Sequence, residues 1–240
     1  MNALQFPSAL PDHPALWRGS DLARTRYAGL TTGFPQLDAE LPGGGWPVGA
    51  LTELLPAREG IGELRVLGPA LAALSKRKLC LAWIAPPYSP YAPALAAAGI
   101  DPGQMAIVRT HSTQDTLWAA EQALASNACG AVLAWLPVVR YPQLRRLHLA
   151  AEHGRALALL FRPPQAAREP SPAALRIALA TADGGLVAHI FKRRGAPLDR
   201  TVPLPAMPLV ERKKAFNHDV DSNPFPATAA RDPAARIAVA

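Results

Sequence analysis

Cysteine is scarce in this 240-residue chain: Cys80 and Cys129 are the only two. Each lies in an apolar run, "KLCLAWI" and "ACGAVLAWL", and reads as a buried small hydrophobe rather than half of a disulfide framework or a metal pair. Apolar stretches approaching the roughly 20 residues that span a bilayer are absent. The opening "MNALQFPSALPDHP" has neither the basic nor the apolar region of a secretory signal, so a soluble, cytoplasmic chain is expected. Metal-ligand spacing is also missing. His148 and His153 fall on one helical segment without a third ligand. The serines of "SAL" and "SPA" have no base nearby in sequence, so no hydrolase arrangement emerges. No catalytic constellation is present, and an enzyme is not expected.

What is abundant is apolar surface and proline. Half of the residues are hydrophobic and 26 are prolines, enough for one large domain with a substantial core and Pro-rich loops. The formal charge is +7 and the isoelectric point near 9.9. That balance suits an acidic protein or a nucleic acid as partner, and equally a solvated basic surface.

Along the chain, residues 1–29 read as an extended lead-in with a short helix over "PALWRGSDLA". "TTGFPQLDAEL" offers an amphipathic turn or two, with Leu37 and Leu41 on one side. "PGGGWPVG" is a loop anchored by Trp46, and "ALTELL" is a strand. After Gly60, Leu64, Leu67, Leu71 and Leu74 share one helical face, although Pro69 lacks a backbone donor and counts against that helix. Short apolar strands then alternate with helices: "KLCLAWI", "YAPALAAAG", "MAIVR", "STQDTLWAAEQALAS", "GAVLAWL", "YPQLRRLHLAAEHG" and "ALALLF". Ser112 and Asp115 open the longest of these helices with a capping box, and Leu117, Ala120 and Leu124 point inward. Continuously apolar strands alternating with helices predict a mostly parallel sheet covered on both faces. "ALRIALA" and "GLVAHIFKRR" alternate with period two around "DGG", predicting an antiparallel hairpin at the sheet edge. The domain is expected over 30–205, followed by a mobile polar tail over 206–240.

The ordered string "TTGFPQLDAELPGGGWPVGALTELLPAREG" resembles the opening of the RecA ATPase core. Thr32, Gly33, Leu37, Asp38, Gly44, Gly45, Pro47, Gly49 and Glu53 fall where that pattern has them. The resemblance implies a RecA-like α/β core, and it places the phosphate loop at Gly60, Ile61, Gly62 and Glu63. There the chemistry fails. The Walker A Lys, which reaches the phosphates, falls on Ile61, and its hydroxyl partner, which holds Mg²⁺, falls on Gly62. The water-activating Glu falls on Pro87 and the Walker B Asp on Trp135. The resemblance therefore implies degenerate ATPase motifs and no nucleotide cofactor.

Two families join a RecA-like domain to missing ATPase residues: SulA, the inhibitor of cell division, and ImuA, its relative in damage-induced mutagenesis. "GAVLAWLP", a helix and "ALALLFRPP" resemble both. The retained front half, "ALWRGSDLA" through "GGGWPVGALTELL", is similar to ImuA in particular. That likeness implies a translesion-synthesis adaptor binding an ImuB-like polymerase relative, a DnaE-type error-prone polymerase and RecA. The SulA likeness implies instead an inhibitor binding FtsZ. Candidate contacts are Lys192, Arg193 and Arg194 in "FKRRGAP", matching a subunit-facing strand end, and Arg168 in "RPPQAAREPSP", matching a DNA-binding loop. Each is equally readable as a solvated charge.

Overall fold

The computed structural model describes residues 29–183, 185–194 and 201–205. The expected helix over "PALWRGSDLA" and the expected tail over 206–240 lie outside the described residues.

β1 (Gly29–Leu30) pairs antiparallel with β2 (Trp46–Pro47), and between them lies the short helix α1 (Pro35–Glu40). The string "TTGFPQLD" bonds to itself. Asp38 accepts from the Thr31 hydroxyl at 2.6 Å and from the Thr32 amide at 2.8 Å, while Thr32 Oγ1 accepts from the Phe34 amide at 3.0 Å. Gly33 has φ of 82°, and a Cβ there would come within 2.5 Å of Pro69. Only glycine fits that contact. Trp46 is fully buried in the same layer.

β3 (Leu51–Pro56) leads through a loop into α2 (Glu63–Lys76). Pro69 does not interrupt α2, which runs 14 residues with the proline inside it. The lost backbone bond is accommodated where the Pro69 ring packs on Gly33. β4 (Cys80–Ile84), α3 (Ala92–Ala97), β5 (Met105–Val108), α4 (Thr113–Ala125), β6 (Cys129–Trp135), α5 (Tyr141–His153) and β7 (Leu157–Phe161) follow in alternation. Ser112 caps α4, accepting from the Asp115 amide at 3.1 Å. Ala120 and Leu124 are buried beneath that helix, and Leu117 is half-buried.

β8 (Leu175–Ala182), β9 (Gly185–Lys192) and β10 (Thr201–Pro205) complete an eight-stranded sheet of order β10-β9-β8-β3-β7-β6-β4-β5. All neighbours from β8 to β5 are parallel, and β8–β9 and β9–β10 are antiparallel. The expected hairpin is present, but it is not the edge. β10 covers β9, burying Val202 and Leu204 and leaving Thr201, Pro203 and Pro205 exposed. Prolines, which cannot donate to a ladder, are tolerated on such an outer strand.

β4, β6 and β7 read as unbroken apolar runs because both faces are covered. β5, apolar in sequence, lies instead at the sheet edge and is largely exposed, against the expectation of cover on both faces. Leu157, Leu159 and Phe161 of β7 join α2 on one face, while Ala158 and Leu160 join α4 and α5 on the other. The two cysteines lie directly opposite each other across β4 and β6, half-buried rather than buried. Burial and the neighbouring Cys80 push the Cys129 thiol up to about 11. Among the described residues, no helix is long and apolar enough to cross a membrane.

Candidate functional site

In a parallel sheet the carboxyl ends of the strands form the crevice where ligands bind. Here the loop after β3 turns through Gly60 and Gly62, with φ of 77° and 104°. Their amides point inward and are already engaged. Gly60 N–H donates to Glu63 Oε1 and Gly62 N–H to Glu63 Oε2, each at 3.1 Å. Glu63 is the first residue of α2 and is buried. Loop amides and a helix amino end favour an anion, and this chain supplies its own. The Glu63 carboxylate thus occupies the loop's donors. Ile61 turns to the other side, packing on the core and lining a separate small hollow with Phe34 and Leu186.

Beside the loop opens a cavity of about 430 Å³. Glu63, Pro87 and Trp135, three positions singled out in the sequence, all line it. Trp135 stacks on Phe161, with ring centroids 4.5 Å apart and planes within 10°, and leans on Trp83 at 5.7 Å. Pro137 and Pro163 add apolar wall, while Thr110 and Thr116 bond each other through their hydroxyls at 2.7 Å. The cavity thus has a stacked aromatic floor with proline walls.

Behind the cavity runs a buried ionic network. Glu53 is wholly buried; it accepts from Arg176 Nε at 2.7 Å and from Ser171 Oγ at 2.6 Å, and Arg162 lies 3.8 Å away. Arg162 donates to Glu169 at 2.7 Å. Arg176 also donates to the carbonyls of Ala166 at 2.6 Å and Glu169 at 3.0 Å and sits 4.9 Å over the Phe191 ring. A buried charge is tolerable when it is paired and hydrogen-bonded, as Glu53 and Arg176 are. Arg162 keeps Glu169 but leaves its Nε and Nη1 without a hydrogen-bond partner.

Comparison with known proteins adds a relationship. Over 100 residues the chain is 32% identical to the cell division inhibitor SulA of Edwardsiella piscicida, covering 42% of this chain and 60% of that protein. It is 31% identical over 112 residues to SulA of Photorhabdus laumondii subsp. laumondii, 47% of this chain and 63% of that one. SulA of Yersinia pestis is 28% identical over 137 residues, 57% of this chain and 80% of its own length. Part of this chain is thus similar to SulA proteins. The first two matches span less than two thirds of the relatives' own length. The crystal structure of SulA from Pseudomonas aeruginosa superposes with a TM-score of 0.40 at 26% identity, covering 47% of this chain and 97% of that one. No family model matches the chain.

The basic strand end does not form one uniform surface. Lys192 Nζ donates to the Ser171 carbonyl at 2.6 Å, tying it to the Glu53 network. Burial, then the Arg176 charge, holds its ammonium below the usual lysine value. Arg193 donates to the Glu40 carbonyl and pairs with the Glu40 carboxylate at 3.3 Å, fastening α1 to the end of β9. Arg194 lines a shallow hollow with Arg193, Leu41 and Pro42. Arg168 is exposed on the turn after β7. His148 faces Glu152 at 3.6 Å, and His153 Nδ1 lies 2.8 Å from the Leu149 carbonyl. Among the described residues no group of three or more His, Cys, Asp or Glu is arranged to hold a metal ion. The network around Glu53 is absent from the sequence reading. Its signal was available: charged residues within or at the end of otherwise apolar strands, "TELL", "LRIA" and "LLFR", each need a partner.

Proposed function

We propose that this chain is a non-catalytic adaptor of damage-induced translesion DNA synthesis, resembling ImuA and built on a RecA-like core that has lost its nucleotide chemistry. Its partners on this reading are an ImuB-like polymerase relative, RecA and a DnaE-type error-prone polymerase. The observation that carries the reading is the Glu63 carboxylate seated on the Gly60 and Gly62 amides. A loop that spends its donors on its own side chain does not cradle phosphate, and Pro87 and Trp135 supply neither a base nor a metal ligand at the neighbouring strand ends. Such a domain keeps a RecA-type surface without an ATP switch and acts by docking. The front-half string, bonded to itself around Asp38, supports the ImuA side of the relationship.

The second reading is a SulA-like inhibitor of cell division that binds FtsZ, and the identity to proteins named SulA favours it. One experiment separates the two. The purified full chain is tested for capture of the purified polymerase relative and of RecA, and for its effect on sedimentation of FtsZ polymers. Capture without loss of FtsZ polymer supports the adaptor. Loss of FtsZ polymer without capture establishes the inhibitor instead.

A further inference from the structure

We infer that the cavity at the carboxyl ends of the strands is the docking site for an acidic, extended segment of a protein partner, which seats one apolar side chain on the Trp135–Phe161 floor. The inference rests on the reading that this chain acts by binding proteins, and it names where. The cavity, at about 430 Å³, accepts a large side chain, and its stacked aromatic floor and proline walls suit an apolar one. The Thr110 hydroxyl is paired with that of Thr116, which also donates to the Ser112 carbonyl at 2.9 Å, so an apolar guest strands neither of these two.

The loops at the same end of the sheet carry apolar groups that interfaces favour. Tyr88, Tyr91 and Val138, on the loops after β4 and β6, are 70%, 72% and 72% exposed, and Tyr141 at the start of α5 is also exposed. Exposed tyrosines are enriched at protein interfaces. Charge selects the partner. Arg58, Arg109, Arg140 and Arg168 stand exposed on the loops after β3, β5, β6 and β7. Against them, Glu63 is held by the loop amides, the exposed Glu169 is paired with Arg162, and Asp115 in the first turn of α4 is bonded to Ser112. That leaves Glu59 as the exposed acid of the loop after β3. An acidic peptide places its carboxylates outward on the arginines with one apolar residue inward. A nucleic acid would carry a phosphate at every step past Glu59 at the cavity wall, whereas a peptide can place its carboxylates away from it.

The test is selection of random peptides, displayed on phage, against the immobilised full chain. The expected consensus is a run of Asp and Glu around one Phe, Leu, Ile or Trp. The enriched peptide, synthesised with a fluorophore, should lose affinity about tenfold or more against Arg58→Glu with Arg140→Glu, with a steep salt dependence. Thr113→Trp, which fills the cavity mouth, should do the same at unchanged melting temperature, and Pro87→Trp serves if that variant fails to fold. No enrichment over a blank surface, a neutral or basic consensus, or binding indifferent to these substitutions overturns the inference. So does displacement of the peptide by a single-stranded oligonucleotide that binds more tightly. Undiminished capture of purified RecA or polymerase relative by the Thr113→Trp variant also overturns it while leaving the adaptor reading intact. Absence of capture by the unsubstituted chain overturns that reading instead.

Discussion

Replacing Glu53 by Gln tests whether the ionic network behind the cavity holds the sheet together. Glu53 is wholly buried on β3, between β7 and β8, and its carboxylate is shared by Arg176, Ser171 and Arg162. The amide keeps the shape and one acceptor but leaves two buried guanidinium groups facing a neutral partner. Breaking a buried pair from one side costs about 3–5 kcal/mol. For a domain of this size each kcal/mol moves the melting temperature by about 2–4 °C. The expected drop is therefore about 6–20 °C, with an unchanged denaturant slope in urea. Glu53→Leu combined with Arg176→Met should recover only part of the loss. Arg176 also satisfies the carbonyls of Ala166 and Glu169, and buried acceptors left alone cost about 1–3 kcal/mol each. A loss below about 1 kcal/mol for Glu53→Gln, or full recovery in the double variant, would refute the view that these charges stabilise by mutual compensation.

Three further outcomes are expected. Millimolar ATP with Mg²⁺ should leave the melting temperature unchanged, whereas a ligand at a hundred times its dissociation constant would add about 2.7 kcal/mol; Ile61→Lys should not restore hydrolysis, as measured by phosphate release. Arg193→Ala should cost about 1.5–3 kcal/mol in urea denaturation, because it unfastens α1 from β9 at Glu40. His148 is held below the ordinary histidine value by burial, with Arg194, Lys192 and Arg145 adding to the shift and Glu152 opposing it. The unfolded chain therefore binds its proton first, and stability should fall as pH drops below the usual value of about 6.5; His148→Gln should flatten that acid limb in melts between pH 7 and 5.

The alternation of apolar strands and helices was legible because the sheet is covered on both faces, so β4, β6 and β7 carry no polar positions to confuse their bounds. The helical face of Leu64, Leu67, Leu71 and Leu74 was legible too, and Pro69 argued against it for a local reason that a distant contact with Gly33 overrides. β10 was not read as a strand. "TVPLP" is short and proline-bearing, and its strand character depends on lying outside β9, which only the assembled sheet supplies. The cysteines read as independent hydrophobes because pairing across β4 and β6 is a matter of strand order, and β6 follows β4 by 44 residues but sits beside it.

The site shows the same division between local and assembled information. Residue identity alone argued that Ile61, Pro87 and Trp135 cannot perform phosphate chemistry. What those residues do instead required the fold. Pro87 and Trp135 meet around one cavity, Ile61 turns away to pack against the core, and Glu63 satisfies the loop amides with its own carboxylate. Lys192 and Arg193 illustrate the converse. A run of basic residues at a strand end reads as surface, yet one ammonium reaches the Ser171 carbonyl and one guanidinium reaches Glu40, 153 residues away. Charges engaged in this way are costly to redirect to a partner, because docking would have to replace bonds the fold already makes. The arginines on the loops around the cavity carry no comparable ties to the buried network. That contrast moves the expected partner surface from the end of β9 to the carboxyl ends of the parallel strands.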